Sequence, residues 1–240
     1  MKISLTRLIS VPFNYLKYLL NNSKLIIMAT LSSNSVFGRI SGKVGDRIYS
    51  SWKGISYVRA KAVRVSDAKT AAQLDHRAKF AVIIKFLQPL TVFLRVGFKS
   101  KNTTMSPFNA AMSYHLKNAI TGTFPNYEID YSKVRVSQGN LPGALNPQVQ
   151  LTTTGEIEFT WENNSFETDS MADDKVLLVL SNCSKQHAVF VFDGNTRQSG
   201  SQVITLPENY AGDEIQCYIA FQNDRQTIFS DSQFVGSLMV

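Results

Sequence analysis

The sequence predicts an α+β protein: an N-terminal β-hairpin with two helices, then an antiparallel β-sandwich. Three observations carry this. Apolar residues follow a helical period only in the middle of the chain, and the period changes to two from about residue 148 onward. Helix-end punctuation is confined to the same middle stretch. The charge also changes sign: residues 28–110 hold 14 Lys/Arg against 3 Asp (+11), and residues 111–240 hold 7 Lys/Arg against 15 Asp/Glu (−8). The expected division is therefore an extension at 1–27, a basic hairpin and helical domain at 28–137, and an acidic sandwich at 138–240.

The first 27 residues, "MKISLTRLISVPFNYLKYLLNNSKLII", carry four cations and no acid. A signal peptide wants an unbroken apolar run and a small-residue cleavage site. Here Pro12, Asn14 and Lys17 interrupt the run. The favoured expectation is that translation starts at Met28; a weak targeting segment and a surface helix are the alternatives. Cytoplasmic localisation is expected, with export if the segment is genuine.

In "GRISGKVGDRIYSSWKGISYVRAKAVR", Gly38 to Arg64, two alternating runs flank "WKG", with apolar residues alternating at Ile48, Ile55, Tyr57 and Val63. Gly54 supplies the positive φ that a tight hairpin turn needs. Thr70 and Gln73 then have the spacing of a capping box, in which each side chain satisfies the other's backbone donor. The helix opened there is expected to run from Ala71 to Leu87. Its Leu74, Phe80, Val82, Ile83, Ile84, Phe86 and Leu87 cover more than one stripe, which predicts heavy burial. Pro89 breaks or kinks it, and "LTVFLRVGF" continues the packed region.

A second helix opens with Ser106 at the N-cap and Pro107 in the first turn, and Gly122 is expected after its end. Phe108, Met112, Leu116 and Ala119 would share its apolar face. "SQGNLPGALNPQ" is a connection. Beyond it, short alternating runs from "QVQLTTTG" to "SQFVGSLMV" predict about seven antiparallel strands.

From Met28 on, the chain resembles domain-of-unknown-function family 6266, a set of proteins from Bacteroidota. The residues that carry the resemblance are Gly38, Gly42-Lys43-Val44-Gly45, Trp52-Lys53-Gly54, Val58-Arg59, Thr70, Gln73, Arg77, Phe80, Gly97-Phe98, Pro107-Phe108-Asn109 and "NAITGTFPNY". The back half, with Trp161 in "IEFTWENN" and a later "YIAF" strand, is similar in pattern to fibronectin type III sandwiches. The resemblance implies a fold pattern and no established activity.

No constellation here is expected to perform chemistry. "GRISGKV" lacks one residue between the glycines of a Walker A loop, puts Val44 where magnesium needs a hydroxyl, and runs into a strand. His76, His115 and His187 lie in separate elements without ligand spacing. The acidic stretch "ENNSFETDSMADD" fits no calcium loop and is expected to be a solvated connection. Cys183 and Cys217 would pair only if their strands were neighbours. No cofactor, metal or catalytic activity is expected.

The remaining feature is the basic front. Arg39, Lys43, Arg47, Trp52, Lys53, Arg59, Lys61 and Arg64 form the candidate interaction face, interleaved with Tyr49 and Tyr57. The expected function is structural or interaction-based, with a protein partner or self-association through the basic and acidic halves. The alternative is nucleic-acid binding, with cations on phosphates and aromatic rings on bases.

Alternation places Ile157, Phe159 and Trp161 on the core side of one strand. Replacing Trp161 by Ala is expected to cost about 3–5 kcal/mol in urea denaturation. A Trp161 mostly open to solvent would end the sandwich assignment.

Overall fold

The computed structural model describes residues 28–31, 41–52, 54–63, 67–99, 105–153, 155–167 and 169–240. The chain divides into two units, Met1–Ala68 and Lys69–Val240.

The first unit contains an antiparallel sheet of β1 (Met28–Leu31), β2 (Gly42–Val44), β3 (Arg47–Trp52) and β4 (Ile55–Ala60), in the order β1-β4-β3-β2. The hairpin between β3 and β4 has the expected place and tightness. Trp52 stands opposite Ile55, and Gly54 takes φ +82° at the turn. No apolar side chain of residues 41–52 and 54–63 is buried.

The second unit begins with α1 (Ala71–Leu87), closed at its start by the expected capping box. Gln73 N donates to Thr70 Oγ1 at 3.3 Å, and Thr70 N donates to Gln73 Oε1 at 3.2 Å. The chain then turns by 89° around Pro89 into α2 (Thr91–Gly97). After α3 (Pro107–Asn118), β5 (Ile120–Thr123) and β6 (Asn126–Ile129) form a small hairpin. Ser106 caps α3 by accepting from Asn109 N at 3.3 Å.

Two sequence expectations need correction here. Helix α1 buries Ile83, Phe86 and Leu87, but Leu74, Phe80 and Ile84 are exposed. One helix face meets the rest of the unit, and the apolar residues beyond that face have no floor. Helix α3 stops at Asn118 because the next residues pair as a strand, and Gly122 serves that hairpin instead of a helix end. A Cβ on Gly122 would lie 2.4 Å from the Asn126 carbonyl oxygen.

The sandwich strands are β7 (Leu145–Thr153), β8 (Glu156–Glu162), β9 (Lys175–Asn182), β10 (His187–Val191), β11 (Ser201–Thr205), β12 (Glu214–Gln222) and β13 (Gln233–Met239). They form two antiparallel sheets, ordered β10-β9-β12-β13 and β11-β8-β7. Ile157, Phe159 and Trp161 point inward from β8 and pack with Leu178, Leu180, Ile219 and Phe221. Trp161 is 5% exposed, as the alternation predicts.

The outer face of the four-stranded sheet is covered too. Leu177 and Val179 of β9, with Tyr218 and Ala220 of β12, share a core with Phe86, Phe93 and Met112 of the helices. Helices, four-stranded sheet and three-stranded sheet therefore stack as three layers, and the boundary expected near residue 137 falls inside this one unit. The close fit has a local signature at Gly97, where a Cβ would sit 2.4 Å from the Val136 carbonyl oxygen.

One ion pair closes the sandwich end. Arg197 and Asp174, 0% and 1% exposed, meet at 3.1 Å. The guanidinium also donates to the carbonyls of Pro142 and Gly143 and to Asn164 Oδ1, and lies 3.9 Å from the Phe221 ring centroid. Asp174 was expected in a solvated loop. Burial of Arg197 beside it overrides the loop's polar composition, because a buried cation needs an anion.

Replacing Arg197 by Met is expected to destabilise the protein by about 3–5 kcal/mol, since Asp174 would remain buried without its partner. Urea denaturation measures this. A loss under 1 kcal/mol would show that the pair is dispensable.

Candidate interaction face

Strand geometry sorts the candidate cations. Lys43 stands opposite Ile48, and Ile48 stands opposite Arg59 on the other side. Directly opposite residues share a sheet face, and so do alternate residues along a strand. Lys43, Ile48, Arg59, Ser50, Tyr57, Trp52 and Ile55 therefore form one face. Arg47 is on the other, with Val44, Ala60, Tyr49 and Val58. Lys61 lies just past β4, where its backbone N–H donates to the Asp46 carbonyl at 2.7 Å. Arg39, Lys53 and Arg64 lie outside the described residues.

So the eight-residue candidate face is not one surface. Its Lys43, Trp52 and Arg59 come together, and Ile48, Ile55 and Tyr57 join them. Those three apolar positions were already visible as alternation, although only their aromatic member had been counted beside the cations. Lys43 and Arg59 are exposed, and Trp52 and Ile55 are 58% and 59% exposed. The result is a basic surface with an apolar, Trp-bearing tip.

The second unit has a cleft of about 400 Å³, lined by Lys85, Phe86, Glu128, Tyr131, Asn182 and Cys183 among others. Burial first, and then the neighbouring Cys183 thiol, raise the Tyr131 phenol above its ordinary range, so it stays protonated at neutral pH. Cys183 and Cys217 are both free. Burial pushes Cys217 up to about 12, which makes it an inert thiol.

Elsewhere, displaced titrations accompany packing contacts. Lys79 binds Asp75 at 2.8 Å, and Tyr127 donates to the same carboxylate. These two hydrogen bonds, Lys79 first, hold Asp75 below its usual carboxylate range and tie α1 to β6. His187 is engaged with the Tyr210 hydroxyl, and His76 is exposed. No group of three or more His, Cys, Asp or Glu among the described residues is arranged to hold a metal. Among them, no single helix is long and apolar enough to cross a membrane; α1 and α2 pass only as a pair bent by 89°.

The sequence matches the family of unknown function DUF6266 over residues 39–236. The chain belongs to this family. No curated protein matches it. The DUF6266 match includes the strands of the basic face and the whole three-layered unit except the end of β13.

His115 is the buried histidine of α3. Its Nδ1 lies 2.7 Å from the Ala111 carbonyl, and Arg135 N donates to its Nε2 at 3.3 Å. Nδ1 therefore carries the proton, and Nε2 must remain unprotonated to accept. Desolvation lowers its pKa below the ordinary 6.5, so the unfolded chain binds the proton more readily. Stability should then fall as pH drops below about 6.5, by at most about 1.4 kcal/mol per pH unit for this proton. His115→Gln should flatten the dependence of denaturation midpoint between about pH 6.5 and the carboxylate range. An unchanged slope would mean that another group causes it.

Proposed function

We propose that this DUF6266 protein is a non-catalytic interaction protein that associates with itself through its basic face. The carrying observation is the sheet face that unites Lys43 and Arg59 with the exposed Trp52 and Ile55. Trp and Arg are the side chains most often found to dominate association energy. The opposite charge resides in the same chain, with −8 over residues 111–240. Such opposed surfaces favour head-to-tail contact.

The order β11-β8-β7 against β10-β9-β12-β13 supports reading the sandwich as fibronectin-III-like, an architecture used widely for binding and spacing. A cytoplasmic setting and a Bacteroidota source belong to the same proposal. A second reading keeps the face and changes the partner: Tyr57 and Trp52 beside two cations also suit single-stranded nucleic acid.

Light scattering after size-exclusion chromatography, over a concentration series, tests the proposal. Mass should rise with protein concentration in the absence of polyanion, and K43E/R59E should weaken association by more than about tenfold, or about 1.4 kcal/mol. A protein that stays monomeric until DNA or RNA is added, and binds it in a steeply salt-dependent way, would transfer the face to the second reading.

A further inference from the structure

The basic face has cations and an apolar tip, and no apolar side chain of β2, β3 or β4 is buried beneath it. A complementary surface should be a flat, solvent-facing sheet with carboxylates and some apolar area. The helical side of the second unit does not qualify, because its helices carry Lys85, Arg95 and Lys117 on exposed or partly exposed positions.

The outer face of β11-β8-β7 does qualify. Strand β8 alternates, so burying Ile157, Phe159 and Trp161 turns Glu156, Glu158 and Thr160 outward, with Glu162 exposed at its end. No Lys or Arg occurs in β7, β8 or β11. Glu158 accepts from the Gln150 amide at 3.0 Å, and Glu162 accepts from the Asn146 amide at 2.9 Å. These amides orient the carboxylates without neutralising them. Val203, opposite Glu158, is 46% exposed and supplies the apolar element.

The spacings are compatible. Lys43 and Arg59 are two strand spacings apart, about 10 Å. Glu156 and Glu158 are about 7 Å apart along β8, and Glu158 and Glu162 about 13 Å, by strand rise. Two flexible cationic side chains bridge that difference.

We propose that the basic face docks on the outer face of β11-β8-β7 in a second copy of this chain, with Lys43 and Arg59 meeting Glu158 and Glu162. This rests on the self-association reading and names the surface that completes it. The contact is heterologous, since different patches meet, so it leaves one patch of each kind open at the ends. Head-to-tail addition then gives rings where the rotation closes and open chains where it does not.

Charge exchange tests the contact. Three samples are compared by sedimentation velocity: K43E/R59E, E158K/E162K and their equimolar mixture. Each variant alone should associate more than tenfold more weakly than the unmodified chain, because like charges then face each other. The mixture should recover, because each reversed face finds its opposite on the other variant. Circular dichroism checks folding, and E158Q/E162Q, which adds no charge, serves as the milder variant if E158K/E162K misfolds; it too should weaken association. If K43E/R59E loses association while neither acid-face variant does, the basic face has another occupant: the inference falls and the self-association reading stands. Failure of the mixture to recover also overturns the inference. An unmodified chain that is monomeric throughout overturns both.

Discussion

The three-layered unit depends on the buried Arg197 guanidinium. It links the entrance of β9 through Asp174, the segment before β7 through the Pro142 and Gly143 carbonyls, and the turn after β8 through Asn164. The Arg197 carbonyl accepts from Trp161 Nε1 at 2.8 Å, which gives the largest ring of the core its only polar requirement. Neither sheet supplies these groups alone. Without the cation, the Pro142 carbonyl would lose this donor, Asp174 would keep only the Met171 N–H and the Gly143 carbonyl only the Asn164 amide. The arrangement is not saturated: Asp174 Oδ1 is buried with no hydrogen-bond partner among the described residues. That residual cost fits the rule that a buried ion pair adds little stability beyond what apolar packing of the same volume would supply.

Once the sheets are fixed, the four-stranded one has two apolar faces to cover. Its inner face is met by β8 and its neighbours, and its outer face by α1, α2 and α3. The helices are thus a lid on the sandwich, joined to it by Phe93 stacked on Phe190 and Phe192 at ring separations of 5.6 and 5.2 Å. Covering this sheet with helices leaves the three-stranded sheet as the sandwich face turned to solvent. The asymmetry explains why the outward positions of β8 include Glu156, Glu158 and Glu162 while those of β9 include Leu177 and Val179.

Much of this was legible. Local devices such as the Thr70–Gln73 capping box, the Ser106 cap and the β3–β4 turn depend on neighbours within a few residues, so sequence spacing is enough to find them. The inward set Ile157, Phe159 and Trp161 followed from alternation alone. The three-layer stacking also left a trace, since "VLLVL" at 176–180 and "IQCYIAF" at 215–221 are nearly continuous apolar runs, the mark of burial on both faces. Reading them as alternating strands conceals where the helices belong. The Arg197–Asp174 pair was not legible, because its members are separated by 23 positions and nothing local marks either as buried. For the candidate face, composition found the cations, but only strand register could divide Arg47 from Lys43 and Arg59.

The first unit poses the reverse thermodynamic problem from the sandwich. A small antiparallel sheet gains stability by burying one face, and its described apolar side chains remain at least partly exposed. Fully burying a large apolar side chain contributes about 1.5–3 kcal/mol, so Trp52 and Ile55 hold free energy that the isolated chain does not use. Lys43 and Arg59 hold less, because exposed ion pairs typically contribute under about 1 kcal/mol and are screened by salt. The division of labour follows. In the proposed self-association, apolar contact at the hairpin tip would supply most of the affinity, while the two cations would set orientation and reject surfaces of like charge. A partner that offered carboxylates without an apolar neighbour such as Val203 would be steered to the face and then released.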